Sequence, residues 1–186
     1  MAAPLRVRLL GGADLDLIRR IDRSEHVDVE YEVVEGRLRE RPVTIAEVPP
    51  WESAGDGPHS VAAMSAFCRQ SLARGGQLLG AYVGEEVAGV AVVEPRFEPP
   101  MAWLAFLHVS RPFRRSGVGS ALWRAAVELA VGASATRLYV SATPAGSAVN
   151  FYLGQGSRLA EPPHPGLFAL EPEDIHLVCA LRSGSA

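Results

Sequence analysis

The chain has 186 residues, 48% of them hydrophobic, and its 18 Lys and Arg against 21 Asp and Glu leave a net charge of −3. That length suits one domain, 1–186, with a sizeable core. The weak negative balance supplies no broad electrostatic drive toward nucleic acid or an anionic membrane, so a small-molecule or peptide partner is expected instead. No stretch approaches the roughly 20 apolar residues of a membrane helix, and the first ten residues carry arginines without a long apolar core, which predicts a soluble, cytoplasmic protein. Cys68 and Cys179 lack metal-ligand or redox spacing and read as buried, reduced thiols. His26, His59, His164 and His176 share no metal-binding pattern, so no metal is expected.

Residues 5–9 alternate as a half-buried strand does; Gly11 and Gly12 break it, and Asp14 can cap a helix running toward Asp22. Residues 28–34 and 37–45 flank Glu35-Gly36 and predict a hairpin. Pro49, Pro50, Gly55, Gly57 and Pro58 mark an irregular link with Trp51 as its expected anchor, so 26–58 reads as a hairpin-and-loop insertion suited to a rim or lid. Val61, Met64, Phe67, Cys68 and Leu72 form the stripe of a helix over 60–74 that ends at Gly75-Gly76. Strands at 78–83 and 87–93, then 101–109 after Pro99-Pro100, make an antiparallel meander. A helix over 117–131, a strand at 137–142, a short helix at 147–153 and a strand at 175–181 complete the order. The Pro-Pro-His-Pro run at 162–165 interrupts the last crossover, and 182–186 is a polar tail. This alternation predicts an α+β, or mixed α/β, domain rather than a bundle or a sandwich.

Between the apolar run 101–109 and the helix carrying Val118, Ala121, Leu122, Ala125 and Leu129 stands Arg114-Arg115-Ser116-Gly117-Val118-Gly119-Ser120. The first amides of a helix lack intrahelical partners and sit at the positive end of its dipole, so this turn can bind a phosphate or pyrophosphate. Two glycines let the anion approach the backbone. A dinucleotide fingerprint would need glycine where Leu122 stands, and a nucleotide triphosphatase loop would carry a lysine that Gly119-Ser120 lacks. For an isolated Gly-x-Gly, a plain strand-to-helix turn is the remaining alternative.

The segment 107–120 resembles the acetyl-CoA signature of the GNAT superfamily of N-acetyltransferases, whose core is Arg/Gln-x-x-Gly-x-Gly/Ala. Arg114, Gly117 and Gly119 match that core, Val109 matches the valine ending the preceding strand, and Phe113 matches the aromatic before the arginine. Arg111 stands where the family commonly has proline. Near the C-terminus, residues 148–156 are similar to the family's Ala-x-x-Phe-Tyr-x-x-x-Gly-Phe, with Ser157 in place of the final phenylalanine and Ala145 where an asparagine is common. The resemblance is good over 76–180 and holds in outline over the first 75 residues. It implies a GNAT-like fold: a central, mostly antiparallel sheet with helices on both faces, splayed between the strands at 101–109 and 137–142. Acetyl-CoA is then expected between those strands. Its contacts would come from Leu107, His108, Val109, Arg114, Arg115, Ser116, Gly117, Val118, Gly119 and Ser120, and from Asn150.

The same resemblance implies transfer of an acetyl group from acetyl-CoA to a primary amine by direct attack in a ternary complex. Such transfer needs a neutral amine, donors for the developing oxyanion and a proton for the departing thiolate. Tyr152 matches the family's tyrosine near the CoA sulfur and is the expected general acid; the alternative is that it only packs. The strand positions where several family members place a glutamate or histidine base hold Trp103 and Ala105. Glu94 is therefore the candidate base, acting directly or through water, against the reading of a solvated carboxylate. His108 alternates with Leu107 and Val109, which turns its side chain toward the helix layer or the surface. Acidic residues gather at Glu25, Asp28, Glu30, Glu32 and Glu35. Glu25, Asp28 and Glu30 are candidate acceptor contacts for an amine beside further positive charge, unless the cluster is the wet face of a hairpin. A homodimer is compatible with this reading. The rivals are a non-catalytic acyl-CoA or ligand sensor with the same fold, and transfer of a longer acyl group.

Overall fold

The computed structural model describes residues 3–181; the polar tail expected at 182–186 lies outside them. Strand β1 (Leu5–Leu10) leads into a 3-10 helix (Gly12–Arg20) where an α-helix was expected. The Asp14 carboxylate accepts from the Gly11 amide at 2.9 Å, and Leu15 and Ile18 are buried beneath it. The insertion holds β2 (Glu25–His26), β3 (Glu30–Val34), β4 (Arg37–Arg41) and β5 (Glu47–Val48). Glu35 and Gly36 both have positive φ, 51° and 71°, the left-handed pair that a two-residue hairpin turn requires.

Helix α1 (Val61–Ala73) starts at Ser60, whose hydroxyl accepts from the Ala63 amide at 3.0 Å. It stops at Gly75, φ 94°, with the Gly76 amide donating back to the Ser71 carbonyl at 2.9 Å. Then come β6 (Gln77–Val83), β7 (Glu86–Glu98), β8 (Met101–Val109), α2 (Val118–Gly132), β9 (Arg137–Ala142) and α3 (Gly146–Gly154). The chain closes with β10 (Arg158–Leu159), α4 (Pro165–Leu170) and β11 (Ile175–Ala180). Helix α4 lies inside the stretch that proline content alone marked as an interruption. Pro165 occupies its first turn, and the His164 ring nitrogen accepts from the Leu167 amide at 3.2 Å.

Seven strands form one sheet in the order β1-β6-β7-β8-β9-β11-β10, antiparallel throughout except for the parallel pair β8–β9. One face packs on α2 and α3 through Leu122, Trp123, Ala126, Val149 and Tyr152. The other packs on the 3-10 helix and α1 through Leu15, Ile18 and Cys68. Both cysteines are buried and free, and burial pushes the Cys68 thiol up to about 12. Among the described residues, no helix is long and apolar enough to cross a membrane.

Main-chain bonds dock the β3–β4 hairpin onto the loop between β9 and α3. The Tyr31 amide donates to the Pro144 carbonyl at 2.9 Å, and the Gly146 amide to the Val29 carbonyl at 2.7 Å. The insertion thereby reaches the end of β9, where that strand leaves the sheet.

Candidate active site

Strands β8 and β9 pair from Met101↔Arg137 to Leu104↔Val140, and then the pairing stops. Beyond that point β8 continues beside β7 alone as far as Val109, with Ala105 bulged between the pairs Leu104↔Val93 and Phe106↔Val92. The Ser110 amide donates to the Ala88 carbonyl at 2.9 Å, which fixes the phase of this ladder. By alternation the amides of Leu107 and Val109 point away from β7, into the gap between the parting strands. These are the amides expected to be free, and His108 alternates with them.

Past β8 the chain makes a short 3-10 turn (Arg111–Phe113), then reverses through Arg115 and Gly117, φ 63° and 88°. Gly117 is the N-cap of α2 and supplies no side-chain cap, so the amides of Val118, Gly119 and Ser120 precede the first intrahelical bond, Ala121 to Gly117 at 3.0 Å. A Cβ on Gly119 would stand 3.2 Å from the Phe151 ring. The lack of a side chain there lets α3 close onto the start of α2, a packing role beside the ligand approach expected of this glycine.

Arg114 is consumed by architecture. Its Nε donates to the Val109 carbonyl at 3.2 Å, one Nη donates to the Arg23 carbonyl at 3.0 Å, and the other pairs with Glu25 at 3.3 Å. An anion at this turn would therefore meet backbone amides and the exposed Arg115 rather than Arg114. An uncapped helix start with a left-handed entry, beside a gap lined by strand amides, fits the phosphates and the amide-bearing arm of an acyl-CoA.

Tyr152 is 6% exposed and packs on Trp123 and Phe151, with ring centroids 5.7 and 5.0 Å away. Its hydroxyl makes no hydrogen bond among the described residues. Burial, then the negative charges of Asp174 and Glu171, push its pKa well above the ordinary phenol value. The Asn150 side chain accepts from the Tyr31 hydroxyl at 3.2 Å, which links α3 to the hairpin.

Glu94 is 3% exposed and is not solvated. Its carboxylate accepts from the Ser71 hydroxyl at 2.6 Å and from Arg74 at 2.6 and 3.1 Å. Nor are the three acidic acceptor candidates free carboxylates. Glu25 pairs with Arg114, and Asp28 with His26 at 3.2 Å. Glu30 is buried and accepts from the Thr44 hydroxyl and amide at 2.8 and 3.1 Å, from Ile45 at 3.3 Å and from Arg41 at 3.2 Å. It therefore braces the insertion from within. His108 packs on Phe106 and on Trp51, and Trp51 also carries the Arg23 guanidinium over its ring at 4.5 Å. Burial, helped by Arg23 and Arg114, lowers His108 to about 3 and keeps it neutral.

One acidic group beside the opened sheet end goes unmarked in the sequence reading. Glu171, Glu173 and Asp174 form the corner leading into β11, and Asp174 precedes Ile175, which pairs with Ala142 at the end of β9 where the sheet is open. Burial, then Glu171 and Glu173, raise Asp174 to about 7. A cavity of about 410 Å³ lies between this corner and the hairpin. The one available signal was an acidic run ahead of the final strand. Its closeness to the hairpin depends on contacts more than a hundred residues apart.

A parallel strand pair opened beside an uncapped helix start is the geometry that the resemblance of 107–120 to an acetyl-CoA signature leads one to expect. Residues 43–156 match the model of the acetyltransferase (GNAT) family, and the chain belongs to that family. No curated protein matches the sequence. Among solved structures, nourseothricin acetyltransferase is similar at a TM-score of 0.70 and 20% identity, over 96% of this chain and 99% of that one. A candidate streptothricin acetyltransferase from Bacillus anthracis str. Ames, solved with acetyl coenzyme A, gives 0.64 and 18% over 98% and 100%. The ribosomal-protein-S18-alanine N-acetyltransferase of Escherichia coli gives 0.61 and 14% over 98% and 97%. At these identities the likeness establishes the shared fold.

Proposed function

We propose that this protein transfers the acetyl group of acetyl-CoA to a primary amine by direct attack in a ternary complex. The observation that carries this reading is the strand gap opened beside the uncapped start of α2, with α3, which carries the buried Tyr152, packed on that start through Phe151 and Gly119. Acetyl-CoA, when bound, supplies an activated acyl carbon and a thiolate leaving group. The amides of Val118, Gly119 and Ser120 hold the pyrophosphate, and those of Leu107 and Val109 line the gap and orient the acyl arm. Tyr152, kept protonated by its surroundings, delivers a proton to the departing sulfur. The bound arm and the hairpin together exclude water from that transfer.

The test is a panel of small amines and peptides with acetyl-CoA, read by thiol release and by mass of the product. Acetylation of a primary amine is the expected result. Tight acetyl-CoA binding with no amine consumed would favour the sensor reading, for which the engagement of Glu94 by Arg74 is the specific support.

A further inference from the structure

We propose that the cavity between the β3–β4 hairpin and the corner at 171–176 is the acceptor subsite for a small polycationic amine, and that Asp174 takes the proton from the amine to be acetylated. This rests on the N-acetyltransferase reading and assigns a place and a base to it.

Position is the first support. Ile175↔Ala142 is the last pair of β11 with β9, two residues beyond the point where β8 leaves β9, so Asp174 stands at the opened end of the sheet. The second is charge. Glu32, Glu161, Glu173 and Asp174 line the cavity, whereas its one lining guanidinium, Arg41, is already engaged by Glu30. The remaining titratable groups on the wall are the Tyr31 phenol and His176, whose ring is bonded to the Glu171 carbonyl at 3.0 Å and to the Ser141 hydroxyl at 3.4 Å and whose pKa burial lowers. The field in the cavity is therefore negative. A cation entering it gains Coulomb energy that a neutral amine does not. Tyr31 and Phe168 add aromatic walls of the kind that suit alkylammonium groups.

The third support is Tyr152, more than nine-tenths buried, without a hydrogen-bond partner among the described residues, and within electrostatic reach of Asp174 and Glu171. Asp174 thus lies on the cavity wall, and its charge acts on the Tyr152 hydroxyl. Asp174, at about 7, is ionised in a substantial fraction near neutral pH, where a general base is most effective. Its carboxylate has no side-chain or backbone donor bonded to it among the described residues, unlike those of Glu94 and Glu30.

The protons balance. The ammonium gives one proton to the Asp174 carboxylate, and the freed lone pair forms the C–N bond to the acyl carbon as the C–S bond breaks. The nitrogen loses its second proton while the sulfur receives one from Tyr152, and that second proton restores the phenol. Asp174 then releases the first proton to solvent, leaving one proton produced for each amide formed.

The experiment uses the full chain, with spermidine as probe, in calorimetric titrations of the wild type, Asp174→Asn and Glu173→Gln. One spermidine per protein is expected, with affinity reduced about tenfold or more in both variants and by added salt, while acetyl-CoA affinity stays at the wild-type value. The pH–rate profile for the best acetylated amine should show an acidic limb near pH 7 that Asp174→Asn abolishes. Absent spermidine binding, or binding that ignores both substitutions, overturns the subsite, and if amines are still acetylated the N-acetyltransferase reading survives. Spermidine binding that depends on the cavity without acetylation of any amine would retain the subsite and overturn both the proton role and that reading.

Discussion

The Tyr152 hydroxyl is held neutral by burial and by two neighbouring carboxylates, a setting suited to giving a proton. Tyr152→Phe keeps the ring that packs on Trp123 and removes only the donor. We expect turnover to fall by about 100-fold or more with acetyl-CoA affinity unchanged, measured by single-turnover kinetics and calorimetry. Glu94 should behave in the opposite way. Its carboxylate anchors Ser71 and Arg74, so Glu94→Gln should lower stability by about 1–3 kcal/mol in denaturant unfolding and leave the shape of the pH–rate profile intact. A flattened profile with stability intact would instead make Glu94 the base.

At the scale of elements, the insertion is organised around a buried charge. Burial alone would raise the Glu30 pKa, but hydrogen bonds from Thr44 and Ile45 and the Arg41 charge outweigh it and hold the carboxyl below its ordinary value. Stability from this group is fully present above the ordinary carboxylate range and is lost as pH falls through the depressed native value. Glu30→Gln should therefore loosen the hairpin at neutral pH, costing about 3 kcal/mol, and the gap to wild type should narrow toward acid, as read by amide exchange in β3 and β4. The central strands and α2 were legible because their apolar periods are long and uninterrupted. The apolar run predicts a strand ending at Val93, ahead of Pro95. The strand in fact runs to Glu98, because the proline falls where the ladder with β8 is irregular, between Glu94 and Glu98, and no amide is needed there. Helix α4 was hidden for a related reason: proline at a helix start and proline in a loop look alike until the His164 cap is seen.

Over the whole molecule, ligand binding to the folded state alone should raise its stability by mass action. At acetyl-CoA a hundredfold above its dissociation constant, about 2.7 kcal/mol is expected, visible as an upward shift in Tm that Ser116 to Ser120 substitutions reduce. A Tm indifferent to acetyl-CoA would count against the turn as a cofactor cradle. The proposed cradle is legible in the sequence because its segments, 107–120 and 148–156, are each contiguous. The proposed acceptor subsite is not, since it joins the hairpin to a corner near the C-terminus, and the carboxylates that look free in the linear chain, Glu25 and Glu30, find cations in the fold.

The hairpin is attached to the β9–α3 loop by the amides and carbonyls of Val29, Tyr31, Pro144 and Gly146. Main-chain anchors are indifferent to the side chains they carry, so the exposed positions from Glu32 to Arg39 are a replaceable cassette. A chimaera that exchanges this stretch for another two-residue-turn hairpin, while keeping Tyr31 and the Glu30–Arg41 brace, should bind acetyl-CoA as before and rank its amines differently. Selectivity in this scaffold would then be open to redesign, or to drift under selection, one wall at a time.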